Sequence, residues 1–282
     1  MILFETKMLN KRCCRKIKDS KRNQIFISRF VFPFIITFIL AFTPKPKPTL
    51  YLIGDSTVKA GQGKGENDMW GWGSVIGQHF DSTKIHIENH AIGGRSSRTF
   101  LTDGRWEPIL KKMKRGDFLI IQFGHNDDWA INDTIRARGT IKGIGMDSVE
   151  IDNLITKKHE VVHSFGWYMS KYIKEAQVKG VAVFICSQVP FNKFENGKVK
   201  RQEEYYPKWA RQVAENTQAH FIDLHELSAV FYDKLGFEET KKQYFTPKDN
   251  VHTNLAGAKL NADNIALGIK NTKMSKLRKF LN

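Results

Sequence analysis

From Thr49 onward, short apolar runs alternate with longer stretches in which apolar residues recur every three or four positions, the pattern of β-α-β units around a parallel sheet. The runs Thr49–Ile53, Ile85–Asn89, Asp117–Phe123, Val181–Cys186 and Ala219–Ile222 read as five strands of one domain. Asp117–Phe123 is apolar over almost its whole length, as expected of a central strand covered on both faces. Between strands, His159–Lys179 carries Val162, Phe165, Met169, Tyr172, Ile173 and Ala176 at helical spacing, with Gly180 as its stop. Leu255, Ala258, Ala262, Ile265 and Ile269 predict a closing helix packed on the sheet, and the Lys-rich tail from Asn271 is expected to fray. Residues 128–153, polar and with Gly139, Gly143 and Gly145, show no clear period. They read as an insertion loop, long enough to be a substrate-facing lid.

A chain of 282 residues, 41% hydrophobic and 12% aromatic, can bury a substantial core, which excludes wholesale disorder. Its net charge of +16 resembles a nucleic-acid signal only until it is divided by region. Residues 1–48 hold 11 Lys/Arg against 2 Asp/Glu, leaving 34 basic and 27 acidic residues on 49–282. That modest surplus argues against a nucleic-acid partner, yet it favours an approaching polyanion. Within the first 48 residues, a basic stretch from Lys7 to Arg22 precedes an apolar run from Phe30 to Phe42 and then Thr43-Pro44-Lys45-Pro46-Lys47-Pro48. This is the order of a secretory signal followed by a stiff Pro/Lys spacer. The run has 13 residues and contains Pro33, short of the roughly 20 a spanning helix needs; a membrane association follows only if the segment stays uncleaved as an anchor. Cys13 and Cys14 precede this run. Cys186, inside an apolar strand, reads as a buried thiol, so a disulfide framework and a cysteine nucleophile are both poorly supported.

The candidate chemistry lies where strands end. Gly54-Asp55-Ser56-Thr57 follows the first strand, at the sheet edge where parallel α/β folds bind ligands. Ser56 there is either an exposed nucleophile or part of an ordinary helix cap. Gly93-Gly94-Arg95-Ser96 and Gly124-His125-Asn126-Asp127 follow later strands on the same edge. The Gly94 amide and the Asn126 side chain can donate to a developing oxyanion; a tight turn and an Asx-type cap are the competing readings. Near the C-terminus, Asp249 stands three residues before His252, a spacing that lets the carboxylate reach Nδ1 and turn Nε2 toward a serine. Trp70 and Trp72 either stack on a ligand or pack over the sheet. Arg95, Arg98, Arg136 and Arg138 either meet substrate carboxylates or form surface and internal ion pairs. The histidines lack metal-ligand spacing apart from His159 and His163, four apart on the predicted helix in His159-Glu160-Val161-Val162-His163; both are read as structural, and no metal or cofactor is expected.

Taken together, Ser56, Gly94, Asn126 and His252 occur in the order of the SGNH branch of the GDSL hydrolases. Gly-Asp-Ser-Thr, Gly-Gly-Arg-Ser-Ser-Arg, Gly-His-Asn-Asp and Asp-x-x-His-Thr most resemble the rhamnogalacturonan acetylesterases, over residues 49–270, as do Gly71-Trp72-Gly73 and Arg136-Ala-Arg-Gly-Thr140. The resemblance implies a three-layer α/β/α sandwich with a five-stranded, flavodoxin-like parallel sheet. It further implies a triad of Ser56, His252 and Asp249, an oxyanion hole of the Ser56 and Gly94 amides with Asn126, and removal of acetyl groups from a pectic polysaccharide by an exported enzyme. Trp72, Arg95 and Arg136 are its candidate substrate contacts. In Val189-Pro190-Phe191-Asn192, Phe191 stands where this branch leads one to expect a basic residue. Other acyl acceptors, such as xylan, a lipid or a thioester, fit the same triad, and a non-catalytic carbohydrate-binding module fits the fold.

Overall fold

The computed structural model describes residues 46–201 and 205–282; the expected leader and the two cysteines within it lie outside the described residues. Nine strands are described: β1 (Thr49–Gly54), β2 (His86–Asn89), β3 (Phe118–Gln122), β4 (Ser148–Asp152), β5 (His159–His163), β6 (Ala182–Cys186), β7 (Phe194–Glu195), β8 (Lys198–Val199) and β9 (His220–Ile222). The helices are α1 (Ser97–Thr102), α2 (Trp106–Lys112), α3 (Phe165–Val178), α4 (Tyr206–Thr217), α5 (Leu224–Leu235), α6 (Phe237–Tyr244) and α7 (Leu255–Asn271).

Five strands form one parallel sheet in the order β2-β1-β3-β6-β9, so the five expected strands are all present, each within a residue or two of its expected bounds. Because side chains alternate across a strand, the sheet feeds two cores. Tyr51, Ile53, Leu119, Ile121, Val183 and Ile185 face α1–α4, packing with Phe100, Trp106, Tyr168 and Tyr172. Leu50, Leu52, Ile120, Phe184 and Cys186 face the opposite layer, with Trp72, Ile76 and, from α7, Ala262, Ile265 and Ile269. The result is the three-layer α/β/α sandwich. Cys186 is fully buried and burial pushes its thiol well up, as its apolar strand predicts.

The chain leaves β1 toward β2 on one side and returns to add β3 on the other. The crevice at such a reversal, outside the carboxyl ends of β1 and β3, is where open parallel sheets place their ligands.

Three expectations are corrected. The helix begins at Phe165, not His159: His159–His163 is strand β5, paired antiparallel with β4 in Ser148↔His163 through Asp152↔His159 register. Adjacent Val161 and Val162 favour a strand, and Ser164 ends it by capping α3 through Trp167 N at 3.1 Å. Hence residues 128–153 are not wholly loop, and His159 and His163 sit on a strand. Finally, the basic tail does not fray. Ser275 caps a short 3₁₀ turn (Lys276–Phe280), Leu277 is fully buried, Phe280 packs edge-on to Phe118 at 5.6 Å, and Leu281 bridges Phe80.

Candidate active site

Ser56 follows β1 directly, on a turn closed by the bonds of Val58 N and Lys59 N to Asp55 O. Beneath it runs a buried polar chain. Asp55 Oδ1 accepts from the Thr57 amide and hydroxyl, both at 2.8 Å. Gln122, at the end of the central strand, donates to Thr57 Oγ1 at 2.5 Å and accepts from Trp72 Nε1 at 2.7 Å. The other Asp55 oxygen lies 3.4 Å from His125 Nδ1, a close contact without hydrogen-bond geometry, and His125 Nε2 is 3.0 Å from Val189 O. Burial pushes the Asp55 carboxyl up, but His125 and the Thr57 donors outweigh it and hold the group below the usual carboxylate range.

Opposite Ser56, the loop before α7 carries Asp249 and His252. Asp249 Oδ1 accepts from the amides of Val251 and His252, each at 2.8 Å, which leaves Oδ2 to meet His252 Nδ1 at 2.8 Å. Those bonds and the imidazole overcome the upward effect of burial, so Asp249 also sits below the usual carboxylate range. His252 Nε2 is 2.9 Å from Ser56 Oγ, across 196 positions of sequence. The loop is pinned from outside: Lys241 donates to the carbonyls of Thr246 and Asp249, and Trp70 exchanges bonds with Thr253 through its backbone N (2.9 Å) and O (2.8 Å).

Three donors converge on the same pocket. Gly94 sits at φ +75°, in the left-handed region that favours glycine. Among the described residues, neither its amide nor that of Ser56 donates to any acceptor. Asn126, almost fully buried, gives one N–H to Arg95 O at 3.0 Å and keeps the other. All three residues line one pocket of about 730 Å³ with His252.

Two of the residues proposed from sequence to touch substrate, Arg136 and Arg138, line this pocket. Trp72 does not: it is wholly buried in the core, held by Gln122 and flanked by Gly71, where a Cβ would collide with the Val58 backbone. Arg95 pairs with Asp103 and lines a neighbouring groove instead. Arg98 is an internal ion-pair residue, bidentate to Glu160 at 2.7 and 2.6 Å and bonded to the carbonyls of Ile131 and Gly139. Trp70 is half-buried away from the pocket and contributes its backbone. Phe191 does line the pocket, edge-on to His125, with Lys193 Nζ 5.3 Å from its ring.

The sequence reading passed over Trp129, Met69, Gln188 and Tyr206, which also line the pocket. Trp129 had a legible signal, since a tryptophan in a polar loop just after Asp127 has little core to enter; here it stays 46% exposed. Among the described residues no group of three or more His, Cys, Asp or Glu is placed to hold a metal ion, and no helix is long and apolar enough to cross a membrane.

A family model described as GDSL-like lipase/acylhydrolase matches residues 52–260. The chain is 31% identical over 215 residues to a rhamnogalacturonan acetylesterase of Emericella nidulans, covering 76% of this chain and 82% of that protein. It is equally similar, at 31% over 206 residues, to rhamnogalacturonan acetylesterase RhgT of Bacillus subtilis, covering 73% and 77%. Among solved structures, Bacillus subtilis YxiM superposes with a TM-score of 0.66 at 24% identity, over 82% of this chain and 58% of that one. Axe2, an acetylxylan esterase from Geobacillus stearothermophilus, does so with a TM-score of 0.51 at 17% identity, over 81% and 97%. At those identities the two structures speak for the fold alone. Matched over most of its length by the family model and by these curated relatives, the chain belongs to the GDSL-like lipase/acylhydrolase family, in its rhamnogalacturonan acetylesterase-like branch, and is a carboxylic ester hydrolase.

Proposed function

We propose that the protein is an exported serine esterase that removes O-acetyl groups from a plant cell-wall polysaccharide, rhamnogalacturonan, through an acetyl-enzyme. The observation that carries the chemistry is the line Ser56 Oγ, His252 Nε2, Nδ1, Asp249 Oδ2, with steps of 2.9 and 2.8 Å, facing three unspent N–H donors. Asp249, held ionised, keeps a proton on Nδ1, so the Nε2 lone pair faces the serine hydroxyl. Ser56 Oγ attacks the acetyl carbonyl as its proton passes to Nε2. The carbonyl oxygen becomes an oxyanion within reach of the Ser56 and Gly94 amides and Asn126 Nδ2. His252 returns the proton to the sugar oxygen, which leaves as the free hydroxyl. Water, deprotonated by the same Nε2, then attacks the acetyl-enzyme and releases acetate and Ser56.

Substrate and export rest on other support. Both curated relatives named above are rhamnogalacturonan acetylesterases, and the pocket is lined by Trp129, which stays 46% exposed. The order of basic, apolar and Pro/Lys segments before Thr49 supports export. The test is acetate release from acetylated rhamnogalacturonan, with acetylated xylan and Ser56→Ala alongside. Release from the first polymer, lost in the variant, is expected. Preference for xylan overturns the substrate, and full activity of the variant overturns the mechanism.

A further inference from the structure

The wall between the Ser56 pocket and the groove beside it is built from residues 133–138. Asp133 Oδ1 collects the amides of Ile135 (2.9 Å), Arg136 (2.6 Å) and Ala137 (2.7 Å), and Ala137 is held at φ +36° with 3% exposure. A turn tied at three amides fixes the two arginines that flank Ala137. Both line the 730 Å³ pocket and also the adjoining groove of about 930 Å³, which reaches Lys158 near the β4–β5 hairpin.

Two other arginines near this wall are paired. Arg98 holds Glu160, and Arg95 holds Asp103. Arg136, Arg138 and Lys158 make no ion pair among the described residues. The Arg136 guanidinium makes no hydrogen bond among them either; it lies 4.5 Å from the centroid of the Trp129 ring. Arg138 lies 4.8 Å from the same ring, is only 7% exposed, donates from Nη1 to Gly94 O at 2.9 Å, and has a buried Nε–H without an acceptor. Burial first, and the charge of Arg136 next, draw the Arg138 guanidinium down to about 10. Two adjacent cations against one tryptophan ring, neither in an ion pair and one of them buried with a donor unmet among the described residues, form a site suited to an incoming anion.

We propose that Arg136 and Arg138, braced on Trp129, are a carboxylate site that holds a uronic acid residue of the polymer, so that the bound chain runs from the Ser56 pocket across this wall into the adjoining groove. The assignment rests on the polysaccharide reading above and adds what that reading leaves open, namely how an acidic backbone is told from a neutral one. Arg138 also ties the site to the chemistry, since its Nη1 grips the carbonyl of Gly94, whose amide faces the ester.

The test compares kcat/KM for acetate release from acetylated rhamnogalacturonan and from the same polymer after its uronic carboxyls are reduced to alcohols. The parent should prefer the acidic polymer, and Arg136→Gln should lower that preference about tenfold, the scale of one charge-assisted contact, through KM. Arg136→Lys should restore part of it, because charge without the planar fork is a weaker carboxylate partner. Using a ratio cancels any general loss of activity. An equal preference in parent and Arg136→Gln overturns the site. If the parent releases acetate from neither polymer, the polysaccharide reading fails, and the site is decided separately: saturated oligogalacturonides should inhibit p-nitrophenyl acetate hydrolysis by the parent, with an inhibition constant raised about tenfold in Arg136→Gln. No inhibition, or equal inhibition of both proteins, rejects it.

Discussion

Gln122 offers a quantitative test of how the nucleophile turn is built. It is a fully buried polar residue in an otherwise apolar central strand, accepting from Trp72 Nε1 and donating to Thr57 Oγ1. Gln122→Met keeps length and approximate volume while deleting both functions. The Trp72 N–H, wholly buried, is then left without an acceptor, at a cost of about 1–3 kcal/mol. Thr57 Oγ1 loses one bond but keeps its own to Asp55 Oδ1, a smaller loss of about 0.5–1.5 kcal/mol. The variant should therefore be destabilised by about 2–4 kcal/mol, read as a lower urea midpoint with an unchanged slope. Trp72→Phe removes the stranded donor, so the double variant should be less destabilised than the two singles summed, with a coupling of about 1–2 kcal/mol. A single-variant loss below about 0.5 kcal/mol, or strict additivity in the cycle, would refute the claim that this chain supports the turn.

Other outcomes follow from the same geometry. Ser56→Ala or His252→Ala should cut turnover on the order of 10⁶-fold, the scale of triad knockouts in a serine protease, whereas Asn126→Ala should cost about 10²–10³, as measured by p-nitrophenyl acetate hydrolysis. Burial raises the Asp127 carboxyl to about 7, despite its bonds from the Ser97 amide and hydroxyl. A carboxyl raised on folding contributes stability that is complete below its unfolded value near 4 and is lost as pH rises through about 7. Asp127→Asn, which stays neutral, should gain on the parent progressively between those limits in urea titrations; a constant difference across them contradicts the assignment. Leu277→Ala should cost about 2–5 kcal/mol if the C-terminal segment is part of the core, and a change within noise would return that segment to a frayed tail.

The strands and the chemical blocks were legible because both are local. Short, nearly continuous apolar runs declared β1, β3 and β6, and the glycine-bearing turns at Gly54, Gly93-Gly94 and Gly124 were expected on one edge of a parallel sheet. The spacing of Asp249 and His252 is likewise local, since a carboxylate that accepts two amides of its own turn is left with one oxygen to meet the imidazole. Where a short apolar segment satisfied two periods, the sequence misled: Val162 fits the helical series of α3, but its partner is Val149 across a hairpin whose local signal is only the β-branched pair Val161 and Val162.

Only the tertiary structure decided the fate of side chains whose local pattern permits two uses. Trp72, Arg95, Arg98 and Arg136 look alike as candidate sugar contacts, yet Gln122 draws the first into the core, Asp103 and Glu160 neutralise the next two, and Arg136, beside the pocket, has no ion pair among the described residues. Two of these outcomes depend on partners far along the chain, 50 positions away for Trp72 and 62 for Arg98. Sequence thus fixes what a residue can do, through its chemistry and the period it sits in, whereas desolvation and pairing, which depend on what packs beside it, determine what remains free to meet a substrate.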